Sequence, residues 1–547
     1  MLDLRDITPK FFSMLKQGIS PRQIKDDIIS GIIVGIVALP LAIAFAIASG
    51  VSPEKGIVTA IVAGFLISFL GGSRVQIGGP TGAFVVIIVS IVTAHGIDGL
   101  LIATFLAGII LILMGLFRMG SLLKYIPQTL IIGFTTGIAV IIFSIQIKDL
   151  LGLNIDNVPS QFISKWKAYF VNINTLNPWA AGIGILTILM LLFLPRISKK
   201  VPWTFIVLTL WTVAVAVLHI PVETIKDGFG TIPAGFQFPD LTAFSLSEVP
   251  SLLSPAFTIA ILAALESLLS AIVSDSMIGS KHRSNAELIA QGVANIVSAV
   301  FGGIPATGAI ARTATNVNQG GRTPIAGMTH SLVLLIIFLA AMPVVSYIPL
   351  SVLAGILIVV AWKMSELHVF INNLKINIFE TLVLLTTFFL TVLLDLTIAI
   401  PVGLVLSVFL FMKRMSDSVE INPIMTSRPD DEKLFSEEIG EVPDHIQIFE
   451  LNGPLFFASI HSLLTILPLL QKHHRYLVLR FRYVPIVDTS GLTRLKEFVH
   501  DMSRRNITVI MTGVQPKVKI KLEKLNVIDT ENIYSDLPTA WKSIMNE

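Results

Sequence analysis

Residues 301–313 read FGGIPATGAIART and residues 78–84 read GGPTGAF. Both stretches interrupt strongly apolar surroundings with glycine and proline, and both carry a Thr-Gly-Ala core, at Thr81 and at Thr307. The apolar segments they open, 82–95 and 306–314, are too short for the ~20 residues that span a hydrocarbon layer. Short, interrupted segments at matching positions in two halves of a chain point to the central site of a membrane transporter. Proline suits a first helical turn, where its missing N–H is not needed. The QIGG and FGGI just before can run extended, provided that protein or a water cavity covers their backbone. Two half-helices would then start near the midplane, with free N–H groups and positive dipole ends facing one another, and that is an anion site. The plainer reading is that such glycines let helices pack closely, the role expected of Gly31 and Gly35; a matched pair favours the site.

Composition places the chain in a bilayer: 53% hydrophobic and 14% charged residues, with mean hydropathy +0.80. Ile28 to Ser49 is an uncharged run of 22 residues, and comparable runs follow it, so it reads as a first span rather than a cleaved signal peptide. Apolar segments fall near 28–49, 56–70, 82–95, 98–117, 125–146, 178–194 and 202–219, then, after a Pro/Gly/Asp-rich loop at 220–254, near 255–277, 286–301, 306–314, 325–342, 345–361, 377–394 and 396–412. That is seven and seven. With the N-terminal segment (1–27) inside, eighteen Lys and Arg fall on inner segments against five on outer ones, a bias that predicts cytoplasmic ends and a plasma-membrane protein. From Lys413 the character changes. After a charged linker (413–440), strand-like YLVLRF (476–481) and NITVIMTGV (506–514) alternate with helical patterns, predicting a small α/β domain with a parallel sheet over 441–547. A net charge of +3, spread along the chain, gives no sign of nucleic acid, and without cysteine there is no disulfide or thiolate metal site.

Arg312 lies about two turns into the second half-helix, where a cation costs at least ~2.5–3.5 kcal/mol. Either it adds positive potential to the anion site, or it pairs with a carboxylate or reaches the inner surface. Glu266, within AALESLLSAIVSD, stands well inside a long span with Ser267 and Ser270 nearby. An ionised Glu266 beside the site repels an anion and a protonated one does not, so anion and proton would bind together; the alternative is a structural pair with Arg312 or a packing hydrogen bond. Pro40 is placed to kink the first span, and Phe45 and Phe84 are candidates for the site wall or for plain packing. His330, His473 and His474 have no ligand spacing around them. No Walker A, HExxH or nucleophile-elbow sequence occurs, which argues against an ATP-driven pump or an enzyme and calls for no cofactor.

Taken together, PATGAIART with the following NVNQGGRTPIAG, GGPTGAF, ESLLSAIVSD and the terminal VDTSGL resemble the sulfate permease (SulP) family of anion transporters. The resemblance implies an α-helical membrane protein with 14 transmembrane segments as 7+7 inverted repeats, one at 28–219 and one at 255–412, divided into core and gate domains. It also implies elevator transport of a small anion such as sulfate, a dicarboxylate, bicarbonate or chloride, usually by a homodimer. It carries the substrate site to Thr81, Gly82, Ala83, Phe84, Thr307, Gly308 and Ala309, with Phe45 and Arg312 beside them and Glu266 and Ser270 as proton-coupling candidates. Sodium-coupled bicarbonate members carry aspartate at the place of Glu266 and no arginine at that of Arg312, so the resemblance favours protons over sodium. The tail resembles a STAS domain, whose partner the sequence does not name. In antagonists with this domain the residue matching Ser490 is phosphorylated; here Ser490 is either that regulatory site or the cap of a helix starting near Gly491.

Overall fold

The computed structural model describes residues 6–121, 126–155, 158–159, 161–198, 201–230, 235–236, 238, 248–394, 396–423, 442–471 and 473–546. The chain forms two compact units, Met1–Val405 and Leu406–Glu547.

The helices of the first unit are α1 (Lys10–Gln17), α2 (Pro21–Ala48), α3 (Pro53–Leu70), α4 (Val85–Leu116), α5 (Gln128–Leu151), α6 (Phe162–Val171), α7 (Pro178–Ile197), α8 (Trp203–Leu218), α9 (Ile225–Phe229), α10 (Val249–Ile278), α11 (Ser284–Val300), α12 (Ile310–Asn318), α13 (Ile325–Ala340), α14 (Met342–Val345), α15 (Leu350–Met364), α16 (Leu367–Asn373) and α17 (Ile378–Leu393), with α18 (Leu396–Asp417) running on into the second unit. Each apolar segment of the sequence contributes to a helix, although 306–314 becomes helical only from Ile310. Segments 82–95 and 98–117 share α4, where the chain turns at Gly96 with φ 69°, a left-handed value that glycine adopts without penalty. The predicted loop 220–254 is shortened by α9 and by the early start of α10; residues 231–234, 237 and 239–247 lie outside the described residues. By length and composition, 8 helices are fit to cross a membrane among the described residues.

Packing sorts these helices into two bundles. One holds α2, α3, α4, α10, α11, α12 and α13; the other holds α5, α7, α15 and α17. The packed pairs answer one another across the halves: α4 on α11 corresponds to α13 on α3, α4 on α10 to α13 on α2, and α5 on α17 to α15 on α7. Two equivalent halves produce that pattern. Close approach depends on small residues, as the first span shows: a Cβ on Gly31 would stand 2.6 Å from Thr329 Cβ, and one on Gly35 3.1 Å from the His330 carbonyl. α2 itself runs through Pro40 as one helix.

In the second unit, five strands are ordered β3 (Glu420–Pro423), β4 (Ile446–Asn452), β5 (Tyr476–Tyr483), β6 (Thr508–Thr512) and β7 (Ile533–Tyr534). β4 to β7 are parallel, as the alternation of strands and helices predicts, and β3 adds an antiparallel edge. The expected linker 413–440 is therefore partly structure: α18 continues to Asp417 and β3 joins the sheet, while 424–440 lie outside the described residues. The cap of the helix Thr489–Arg504 is Asp488 and not Ser490. The helix starts earlier than the sequence pattern indicates, and the Asp488 carboxylate accepts from Gly491 N at 2.6 Å and from Phe457 N at 3.2 Å. Ser490 is left exposed in the first turn.

Candidate functional site

The two Gly-rich stretches meet. Gly78–Gly79 (β1) and Thr307–Gly308 (β2) form a two-residue antiparallel ladder, Gly78 opposite Gly308 and Gly79 opposite Thr307, and Ala309 N donates to Ile77 O at 2.9 Å. Glycine is required at two places here: Gly79 has φ 147°, and a Cβ on Gly308 would run into the Gln76 side chain. From β1 the chain passes through a 3₁₀ turn, Gly82–Phe84, into α4; from β2 it enters α12 at Ile310. So short a ladder leaves much extended backbone without partners, and buried polar side chains supply some of these and tie the stretches to their neighbours. Asn295 donates to Ala306 O at 2.9 Å and accepts from Ala306 N at 2.8 Å. Thr59 Oγ1 accepts from Ile304 N at 2.7 Å, Asn316 Nδ2 donates to Val75 O at 2.8 Å, and Gln76 Nε2 donates to Ser267 O at 3.1 Å.

Around this crossing the expected site residues separate into two groups. Thr81, just past β1, donates its hydroxyl to Glu266 Oε2 at 2.7 Å. Arg312 is 3% exposed. Its Nη2 donates to the carbonyl of Pro80, the residue before Thr81, and its buried Nη1 has no hydrogen-bond partner. Among the described residues Arg312 hydrogen-bonds to a main-chain carbonyl and not to a carboxylate, and its side chain is buried. Gly82 is the meeting point of the bundles: a Cβ there would stand 3.3 Å from Phe45 of α2, 3.0 Å from Ile142 of α5 and 3.5 Å from Met364 of α15.

The other candidates face elsewhere. Thr307 donates to Ala263 O at 2.9 Å and is fully buried. Gly308 is taken up by the ladder. Ala83, at 1% exposure, and Phe84, at 0%, pack in the core, and Ala309, also buried, precedes α12. Ser270 donates to Thr313 Oγ1 at 3.2 Å rather than to Glu266, and Thr313 in turn accepts from Ile77 N at 3.1 Å. His330 is fully buried with neither ring nitrogen bonded. Ile142 and Met364 are absent from the sequence-based site, since an apolar residue in an apolar helix carries no signal. Gln76 and Asn295 do carry one: an amide buried in an apolar stretch costs free energy unless it is hydrogen-bonded. Among the described residues no cluster of His, Cys, Asp or Glu is set to hold a metal ion.

The crossing thus gathers two helix starts, a guanidinium with an open donor, a hydroxyl and one carboxylate. Comparison with known proteins identifies the family. Residues 24–387 match the Sulfate permease family and residues 440–540 match the STAS domain. YvdB of Bacillus subtilis (strain 168), provisionally named a sulfate transporter, is 41% identical over 524 residues, covering 94% of this chain and 96% of its own. The bicarbonate transporter BicA of Synechocystis sp. (strain ATCC 27184 / PCC 6803 / Kazusa) is 29% identical over 536 residues, covering 95% and 94%. Among solved structures, the transmembrane domain of a cyanobacterial BicA aligns with TM-score 0.65 at 30% identity, over 72% of this chain and 100% of that one. Murine Solute Carrier 26 family member A9 aligns with TM-score 0.88 at 16% identity, over 100% and 95%, a likeness of fold. The chain belongs to the sulfate permease family of anion transporters and ends in a STAS domain.

Proposed function

We propose that this chain moves a small oxyanion or halide inward across the plasma membrane, sulfate first among the candidates, together with protons. The observation that carries the reading is the antiparallel crossing of β1 and β2, which brings the starts of two half-helices beside the unpartnered Nη1 of a buried arginine. The free first-turn N–H groups and dipole ends favour negative charge. A buried guanidinium with an open donor adds a charge-assisted hydrogen bond for the bound anion. The substrate site of this reading is formed by Thr81, Gly82, Phe45, Arg312 and the first amides of α12, with Ile142 and Met364 closing it from the second bundle.

Glu266 supplies the coupling. It receives the Thr81 hydroxyl at 2.7 Å, one residue from Gly82, so its charge acts directly on the anion. Ionised, it repels the substrate; protonated, it does not, and the two bind together. The two bundles supply the motion: the one bearing the half-helices slides against the one bearing Ile142 and Met364, an elevator working within a homodimer with both ends of the chain cytoplasmic. Sulfate ranks first because the relative at 41% identity bears a sulfate-transporter name; bicarbonate is the second reading, supported by BicA at 29% identity.

Purified protein in liposomes, given an inward proton or sodium gradient and labelled sulfate, fumarate, bicarbonate or uracil, tests this directly. Proton-driven sulfate uptake is expected. Uptake driven only by sodium refutes the coupling, uptake of uracil alone refutes the anion site, and no uptake of any solute refutes transport.

A further inference from the structure

The amphipathic helix α1 and its aromatic neighbours have no part in the site. Its inner side is tied firmly to protein: Met14 is buried, Lys10 N donates to Gly71 O at 2.9 Å just after α3, and Arg283 Nη1 donates to Thr8 O and Ser13 Oγ, both at 2.8 Å. Lys10 Nζ donates to Lys281 O at 2.9 Å, and Ala286 N donates to Asp6 O at 3.1 Å, so the strap also clasps the turn between α10 and α11.

The outer side is apolar and uncovered. Phe12 is 40% exposed and Leu15 50%. Phe12 and Phe11 each pack on Phe69 of α3 with ring centroids 5.4 Å apart, and Phe69 stacks on Phe65, itself 42% exposed. An aromatic ladder therefore runs without a break from the outward face of a membrane-crossing helix onto α1. Exposed Lys16, Arg22 and Lys25 lie on this segment of the chain against exposed Asp6 and half-buried Asp26, whereas Asp27 is buried and spent on Arg322 N, Thr323 N and Thr323 Oγ1. Apolar side chains with a basic border match the boundary between acyl chains and anionic headgroups.

We infer that α1 is an interfacial anchor: Phe12 and Leu15 enter the acyl boundary, while Lys16, Arg22 and Lys25 bind the headgroups of anionic phospholipid, holding the end of the half-helix bundle at headgroup depth. The lipid is the occupant because the uncovered face continues the outward face of α3 and because the exposed charge along this segment is net positive, Lys16, Arg22 and Lys25 outnumbering exposed Asp6 and half-buried Asp26.

The chain has no cysteine, so single nitroxide labels can be placed at Phe12→Cys, Leu15→Cys and Lys16→Cys in the full-length protein. The vesicles are phosphatidylcholine with and without phosphatidylglycerol. Labels at 12 and 15 are expected to collide more with oxygen than with a water-soluble nickel chelate, and the label at 16 the reverse. Phosphatidylglycerol should strengthen the contrast at 15. Replacing Lys16 and Arg22 by Gln should weaken the phosphatidylglycerol-dependent part of the contrast by about fivefold for each positive charge removed. Nickel access at 15 equal to that at 16 places the helix in water and overturns the anchor; access by neither reagent shows a protein cover and overturns it equally. A contrast indifferent to phosphatidylglycerol overturns the headgroup assignment.

Discussion

The crossing is built from two stretches with the same Thr-Gly-Ala core, and the two copies do different work. In the first, Thr81 lies beyond the ladder and its hydroxyl reaches Glu266. In the second, Thr307 is itself a rung, opposite Gly79, and its hydroxyl is spent on the carbonyl of Ala263. The charged residues are divided likewise: the carboxylate stands beside the first helix start, while the guanidinium rises from the second helix and reaches back to Pro80 of the first. In the proposed mechanism, matching motifs with unlike side chains give one site two poles, one attracting an anion and one able to repel it. That division is the physical basis of coupling.

The largest effect expected from breaking this division is at the attracting pole. Arg312→Ala removes a charge-assisted hydrogen bond worth about 1.5–3 kcal/mol, so anion affinity should fall roughly ten- to hundredfold in liposome uptake or direct binding; unchanged affinity would remove Arg312 from the site. At the other pole, Glu266→Gln should leave downhill anion uptake in place while abolishing its acceleration by an inward proton gradient. Uptake that still follows the gradient would make Glu266 structural.

The paired threonines sharpen the contrast at lower amplitude. Thr307→Val loses a buried hydrogen bond and should reduce stability by about 1 kcal/mol, read as a lower unfolding midpoint in detergent, with anion affinity unaltered. Thr81→Val should do the opposite, sparing the midpoint and shifting the pH dependence of uptake. If both variants behave alike, the two copies are equivalent after all. Smallest of all, Gly82→Ala meets only side-chain ends at 3.0–3.5 Å. It should cost about 1 kcal/mol in apparent affinity, the low end of overpacking, and Met364→Ala should recover part of that loss.

The legible features were those with a local cause. The apolar runs locate their helices because insertion in a bilayer demands contiguous apolar length, and the proline and glycine of residues 78–84 and 301–313 mark the breaks because a helix does not continue through them. Close packing at Gly31 and Gly35 was equally readable. Other features had no local cause. Ile142 and Met364 look like any residue of an apolar helix until Gly82 arrives beside them. The capping role of Asp488 was misassigned to Ser490, since a shift of two residues in a helix start changes which side chain meets the free amides. β3 was hidden in a charged stretch because an edge strand needs only a neighbour to pair with.

Composition, spacing and motif thus determined by themselves that the chain is a bilayer-embedded bundle with two broken helices and an α/β tail, because each of those properties is written in a few consecutive residues. Which threonine reaches Glu266, that Arg312 hydrogen-bonds to Pro80 and not to a carboxylate, and which apolar side chains approach Gly82 were decided only by tertiary structure, because each depends on groups far apart in the chain brought within hydrogen-bond or van der Waals distance.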